Sequence, residues 1–451
     1  MGPADPGARP RRRIVFTTFG SLGDLYPYLA VARGLQARGH DVVVATTRRF
    51  REQVEGAGVG FHAVRPDGPD ITADRESMRR VMDPRRGGEY VIREVMIPAL
   101  RESYADIAAA ARGADLLVSH VLTYTTRLVA EKEGIPWVST FLQPLCFFSA
   151  YDPPVLAPLP GLSRLRFLGP VFHRALFGLA ERMCRPWVAP WHELRAELGL
   201  PPTPDNPAFR GLYSPSLSLA MFSPAFAGKQ PDWPPQTVLT GFPFPDPDDG
   251  PGMPAELVRF LEAGPPPVVF TLGSSGVLAA GSFYEVSAAA AARLGRRAVL
   301  IVGKDPANRP ASLPAGVAAF DYAPFGQLFP RAAAVVHAGG IGTTALAIRS
   351  GRPMLVVPLS HDQFDNAARA ARLGIGITLS AGRYTPARAA ARLRSLLDHP
   401  QYTERATGFG EQIGREDGVR AACDALEGAV VAIGPVVGPA DPGTSSESEA
   451  P

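Results

Sequence analysis

Residues 14–46, IVFTTFGSLGDLYPYLAVARGLQARGHDVVVAT, set the fold class. A β-branched run is followed by a glycine-rich turn, an amphipathic stretch of helical length and a second β-branched run, which is the pattern of a βαβ unit. Further strands are expected at 116–119 and 137–140, joined by helical sequence over 125–134, so the first half reads as a mostly parallel sheet covered by helices. Between 144 and 207 the rhythm turns proline- and aromatic-rich, as expected for helices and loops inserted into that domain. The proline-dense segment GFPFPDPDDGPGMP resists regular structure and marks a linker. A second α/β domain follows, with strands expected at 268–272, 298–302, 317–320, 334–337 and 354–357. The expected organisation is a basic flexible N-terminus (1–13), a Rossmann-like domain (14–240), a linker (241–254), a second Rossmann-like domain (255–433) and a disordered tail (434–451). Two such sheets imply a cleft with one ligand on each side.

Composition narrows the function classes. The 451 residues carry 46 Lys and Arg against 43 Asp and Glu, so nothing advertises nucleic-acid binding. Three widely separated cysteines, Cys146, Cys184 and Cys423, argue against a disulfide framework or a cysteine metal cluster and suit a reducing cytoplasm. The basic start passes through a single strand-length apolar run, unlike a signal peptide. No apolar run reaches the roughly 18 residues of a membrane-spanning helix, and a soluble protein is expected. Glycine and proline are abundant, at 46 and 47 residues, so each glycine motif is judged by its neighbours.

The densest chemistry begins at Ala332: AAAVVHAGGIGTTALAIRSGRPMLVVPLSHDQFDNAARAARLGIGITL. A strand delivers His337 to its carboxyl end just before Gly339, Gly340 and Gly342, with a helix starting near Thr343. Backbone N–H groups, threonine hydroxyls and His337 then form a phosphate or diphosphate cradle. The bland alternative is a tight turn using glycine for geometry, with His337 a satisfied structural imidazole. Gly340, Gly342 and Ala345 also match a dinucleotide fingerprint, with Asp362 twenty residues beyond Gly342. That reading ranks low, because the fingerprint acid should follow the second strand directly, whereas Pro358 ends the strand here. His361, Asp362, Gln363 and Asn366 suit a polyhydroxylated ligand, against helix capping by Asp362 or Asp365. Asp24 lies at the mouth of the first turn, where spacing alone favours a helix cap. His120 follows DLLVS at another strand end, and parallel sheets gather such ends on one edge, so the two residues are candidates for a carboxylate–imidazole pair.

The segments GSLGDLYPYLAVARGLQARGHDV and HAGGIGTTALAIRSGRPMLVVPLSHDQFDNAARAARLG together resemble bacterial family 1 glycosyltransferases related to plant and sterol glucosyltransferases. The resemblance spans both halves. It implies a GT-B fold and inverting, metal-independent transfer of a sugar from UDP-glucose or a dTDP-sugar to a hydroxyl of a lipophilic natural product. The nucleotide sugar is then a co-substrate, and no cofactor is tightly bound. Carried residue by residue, it places His337, Gly339, Gly340, Gly342 and Thr343 at the donor diphosphate, Asp362 and Gln363 at the donor sugar, and Ser274, Tyr322 and Phe325 on the nucleotide side. A non-catalytic accessory protein that binds a nucleotide sugar or lipid is the alternative.

Two positions depart from the plant branch. Ala345 stands where an acidic residue contacts ribose, leaving the choice between UDP and dTDP open. Asp24 stands where the plant branch has its histidine, and His120 roughly where it has the supporting aspartate, so the dyad is expected in reversed order, with either residue as base and Asp24 preferred. An ordinary aspartate, with pKa about 3.9, is a weak base for an alcohol, so proton transfer must accompany attack. Acceptor contacts are expected at Phe141, Phe147, Phe148 and Trp187 in the aromatic-rich segment. The same segment could instead pack helices onto the sheet or offer a peripheral membrane face near 155–177.

Overall fold

The computed structural model describes residues 10–67, 75–245 and 252–433. Its two sheets are parallel throughout. The first runs β3-β2-β1-β4-β5-β6-β7, with β1 at Arg13–Thr17, β2 at Asp41–Thr46, β3 at Gly60–Ala63, β4 at Leu116–His120, β5 at Trp137–Phe141, β6 at Ser218–Ala220 and β7 at Thr237–Leu239. The second runs β10-β9-β8-β11-β12-β13, with β8 at Val268–Thr271, β9 at Ala298–Ile301, β10 at Val317–Phe320, β11 at Ala334–His337, β12 at Met354–Val356 and β13 at Gly376–Thr378. Each sheet reverses its order beside its first strand, between β1 and β4 and between β8 and β11. Crevices for ligands open at such reversals, beyond the carboxyl ends of the strands.

The central strands are buried on both faces, as continuous β-branched runs require when helices cover both sides, while β3, β7, β10 and β13 at the edges are only partly buried. Register is regular: Phe16 pairs with Val118 and Thr17 with Ser119, so the turn after β1 and the end of β4 finish side by side. The short strands β3, β6, β7 and β13 extend the sheets beyond the sequence expectation. The expected N-terminal arm and tail fall largely outside the described residues, as does 246–251 of the expected linker. Arg13 already belongs to β1, where its backbone N–H donates to Asp115 at 2.7 Å and its guanidinium pairs with Asp41 at 2.6 Å.

The final helix, Gly418–Ile433, leaves the second sheet and packs on the helix Leu22–Ala37 of the first. Arg38 and His40 both reach Glu427, each at 3.0 Å. Gly34 is small because Val419 and Cys423 occupy the space a Cβ would need, at 2.8 and 2.9 Å.

A second interdomain contact lies beside the cleft. Asp365, on the helix Gln363–Arg372, holds Arg369 at 2.7 Å and accepts the backbone N–H of Val155 at 3.0 Å. Arg369 also pairs with Asp152 of the first domain, which Arg166 and Arg372 join. The Asp365 and Arg369 side chains are 0% and 3% exposed, so neither charge is stable there without the other. Arg369→Ala strands Asp365 and is expected to cost about 3–5 kcal/mol in urea unfolding; a loss under about 1 kcal/mol would show that the cluster holds nothing together.

Candidate active site

The turn after β1 places a carboxylate by capping a helix. Ser21 caps Leu22–Ala37 and receives Gly23 N–H at 3.1 Å, while the third helical residue, Asp24, closes a capping box. Asp24 Oδ2 accepts Ser21 N–H at 2.7 Å and the Ser21 hydroxyl at 2.9 Å. Its other oxygen is left for His120, whose Nε2 is 3.7 Å from Oδ1. The helix cap and the carboxylate–imidazole pair are therefore one arrangement.

The two members of the pair differ in access. His120 is 2% exposed and Asp24 25%. Leu122 N–H donates to His120 Nδ1 at 3.3 Å, which assigns the ring proton to Nε2, the nitrogen facing Asp24. Tyr28 packs edge-on against the imidazole, with ring centroids 5.9 Å apart, and hydrogen-bonds Thr140. Burial works to raise the Asp24 pKa, but the nearby His120 imidazole and the hydrogen bonds from Ser21 outweigh it and hold the carboxyl below its usual range. Ser21 and Tyr28 escape a sequence reading. The S-x-x-D spacing of a capping box was the available signal for Ser21.

The turn after β11 faces this pair. Gly339, at φ +95°, has Val356 Cγ1 2.7 Å from where a Cβ would stand, so the cradle admits no side chain there. Gly340 precedes the helix Ile341–Arg349, and the Cα of Gly23 lies only 3.6 Å from the Cβ position of Gly342. Thr343 Oγ1 meets the corresponding position of Gly273 at 3.1 Å, and Ser274 is exposed in the same turn after β8. Helix N-termini from both domains thus converge on one spot, where their N–H groups and dipoles favour an anion.

His337 departs from expectation. Its imidazole is fully buried, Nδ1 accepts Gly339 N–H at 3.0 Å, and Nε2 lies 3.4 Å from the Met354 sulfur. Burial lowers its pKa to about 3, so the ring is neutral and braces the cradle from beneath. Ala345 is buried in the core and brings no carboxylate to the site.

At the start of the helix Gln363–Arg372, Gln363 Oε1 accepts Leu359 N–H at 2.8 Å and Ser360 N–H at 3.1 Å, which leaves its amide N–H groups as donors. Asn366 ties Asp362 to the cradle, donating to Asp362 at 2.7 Å and to the Gly339 carbonyl at 2.9 Å. Burial, reinforced by the charge of Asp24, raises the Asp362 pKa to about 7. His361, at φ +52°, bonds Val81 of the first domain, and burial lowers its pKa. Tyr322 is half-exposed and within electrostatic reach of Tyr26 across the cleft, and Phe325 stacks on Phe329 at 4.7 Å.

The expected acceptor residues divide. Phe141 and Phe147 are corrected to core residues: Phe147 stacks on Trp233 at 4.0 Å and packs on Phe141 at 4.5 Å, and both are buried between the sheet and its cover. Phe148, in a left-handed conformation at φ +44°, turns the other way onto Phe209 and Phe177. Trp187 is partly exposed in the short 3-10 helix Arg185–Val188. Among the described residues no group of three or more His, Cys, Asp or Glu side chains is placed to hold a metal, and no helix is long and apolar enough to cross a membrane.

Two family models match the chain: the glycosyltransferase family 28 N-terminal domain over residues 14–150 and the erythromycin biosynthesis protein CIII-like C-terminal domain over 286–416. A Streptomyces fradiae O-mycaminosyltylonolide 6-deoxyallosyltransferase is 36% identical over 424 residues, covering 92% of this chain and 97% of that protein. Among solved structures, the spinosyn forosaminyltransferase SpnP superposes with TM-score 0.69 at 19% identity, over 94% of this chain and all of that one. Glycosyltransferase VinC in complex with dTDP gives TM-score 0.64 at 23% identity, over 92% and 99% of the two chains.

The raised pKa of Asp362 has a testable sign. A carboxyl whose folded value, about 7, lies above the unfolded 3.8 favours folding below pH 3.8, and that contribution is lost as pH rises through 7. Asp362→Asn is therefore expected to raise the melting temperature of the ligand-free protein at pH 8 and leave it nearly unchanged at pH 4. Equal shifts at both pH values would contradict an uncharged Asp362.

Proposed function

The chain belongs to the natural-product glycosyltransferases of GT-B fold, and from that premise we propose that Asp24 is its catalytic base, in an inverting, metal-independent transfer from a dTDP-deoxysugar. The protein is an enzyme that moves a sugar from a nucleotide diphosphate donor to a small lipophilic acceptor, which sets aside the accessory-protein reading. The observation that carries the base assignment is access: Asp24 opens to the cleft while His120 is enclosed behind it, with its proton directed at the carboxylate. His120 orients and stabilises; Asp24 accepts.

In this reading Asp24 takes the acceptor hydroxyl proton as the oxygen attacks the anomeric carbon from the face opposite the diphosphate. Concerted transfer is required, because a carboxylate held at low pKa does not ionise an alcohol beforehand. The departing diphosphate gathers charge at the N-terminus of Ile341–Arg349, where backbone N–H groups of the glycine turn and Thr343 meet it. His337 contributes by shaping that turn. Asp362 and the Gln363 amide hold sugar hydroxyls, while Ser274, Tyr322 and Phe325 border the nucleotide.

A thymidine donor is supported by Ala345, since deoxyribose has no 2′-hydroxyl for a carboxylate to bind, and by the dTDP named with VinC. The 6-deoxyallosyl group named for the Streptomyces relative supports a deoxysugar. That relative's acceptor is a mycaminosyl-substituted tylonolide, and a lipophilic, partly glycosylated aglycone is proposed here, bordered by Phe148 and Trp187. A reducing cytoplasm suits the three unpaired cysteines.

Product formation by mass spectrometry, with dTDP-deoxyhexoses and UDP-glucose against a panel of lipophilic hydroxyl acceptors, tests the donor; faster turnover of UDP-glucose would overturn the dTDP assignment. Asp24→Asn is expected to lower kcat about a thousandfold with donor binding intact. His120→Ala removes influences that lower the Asp24 pKa, so the acid limb of its kcat/KM profile should move to higher pH. An Asp24→Asn enzyme retaining more than about a tenth of wild-type kcat is incompatible with this base.

A further inference from the structure

The 3-10 segment Pro160–Leu168 and the helix Gly169–Cys184 present an apolar face away from the body of the protein. Six of the twelve large hydrophobic residues left exposed among the described residues fall in these two elements or immediately before them: Leu159, Phe167, Leu168, Val171, Leu179 and Met183. Phe167 is 78% exposed, Val171 79% and Met183 69%, beyond what scattered surface apolar residues show. The arrangement is periodic. Val171, Ala175, Leu179 and Met183 recur every four residues along the outward stripe, while His173 and Phe177 turn inward, to the Leu165 carbonyl and to Phe148. A helix apolar on both sides is ordinarily buried on both sides. Here one side is open.

Charge around the stripe identifies what covers it. Arg174 and Arg182 share the exposed side of the helix, with Arg164 before it and Arg185 after it. None of the four is ion-paired among the described residues, whereas Glu181, the only acid between 159 and 185, lies 3.8 Å from Arg210. An isologous dimer through this face would set arginines against arginines. An apolar stripe edged by unpaired cations complements an anionic lipid surface, with the side chains among acyl chains and the guanidinium groups at headgroup level. We propose that residues 159–185 dock the enzyme on anionic membrane, in the plane of the interface. The segment also connects to the cleft: it follows directly on Asp152 and Val155, which engage the helix carrying Gln363. Docking through it holds the acceptor side of the cleft beside the lipid in which a lipophilic acceptor concentrates.

The test is co-sedimentation of the full chain with vesicles of phosphatidylcholine alone and of phosphatidylcholine with phosphatidylglycerol. Binding to the phosphatidylglycerol vesicles, weakening as salt rises, is expected, with little binding to the neutral ones. Arg174→Gln with Arg182→Gln should weaken partitioning about thirtyfold, and Leu179→Ser with Met183→Ser should abolish it, while both double variants keep wild-type turnover of a water-soluble acceptor in the absence of lipid. No binding by the wild-type chain, equal binding to both vesicle types, or undiminished binding by the variants would each overturn the proposal. Concentration-dependent dimerisation lost in the Leu179, Met183 variant, without vesicle binding, would assign the face to a second copy instead.

Discussion

Parallel strand pairing is the constraint on which the site depends. When every strand of a sheet points the same way, each is followed at the same edge by a turn that starts a helix, and each helix presents unpaired N–H groups there. Two such sheets set edge to edge direct the N-termini of Leu22–Ala37, Ile341–Arg349 and Gln363–Arg372 at a shared space. That space favours negative charge before any side chain is chosen. The glycines at 23, 339, 340 and 342 keep it narrow and lined by backbone, so a diphosphate can be met by N–H groups without a cationic side chain.

Two carboxylates already occupy the edge of this field, and their environments drive them apart. Asp24 accepts from Ser21 and faces the His120 proton, which keeps it ionised; Asp362 is enclosed and feels the Asp24 charge, which favours its protonated form near neutrality. A neutral carboxyl can donate to a sugar hydroxyl as well as accept from one, whereas an ionised one can only accept. The pairing of an anionic Asp24 with a largely uncharged Asp362 thus follows from burial and neighbours rather than from residue type.

Five of the six strands of the second half were legible as short apolar runs near glycine or proline signals, and these fall within a residue of expectation. The strands β6, β7 and β13, at or next to the sheet edges, have three residues each and no periodic pattern to read. The glycine cradle and the polar cluster at 361–366 were also legible, since spacing along one turn or helix fixes which residues share a place. Long-range packing was not. Phe141 and Phe147 look like pocket residues in a one-dimensional aromatic run, and it is Tyr213, Phe222 and Trp233, far along the chain, that pack against them. His337 sits where its motif puts it, yet Met354 and Gly339 N–H decide that its ring turns inward.

The return of the last helix has a mechanical consequence. The chain crosses from the first domain to the second between β7 and β8, and crosses back just before Gly418, so the second domain is in connectivity an insertion held at two points. A body tethered once can swivel about its tether; tethered twice, its rotations relative to the first domain are limited by both crossings. The same two crossings make residues 255–415 a cassette, bounded on both sides by a frame that keeps Asp24, His120 and the aromatic-rich segment together.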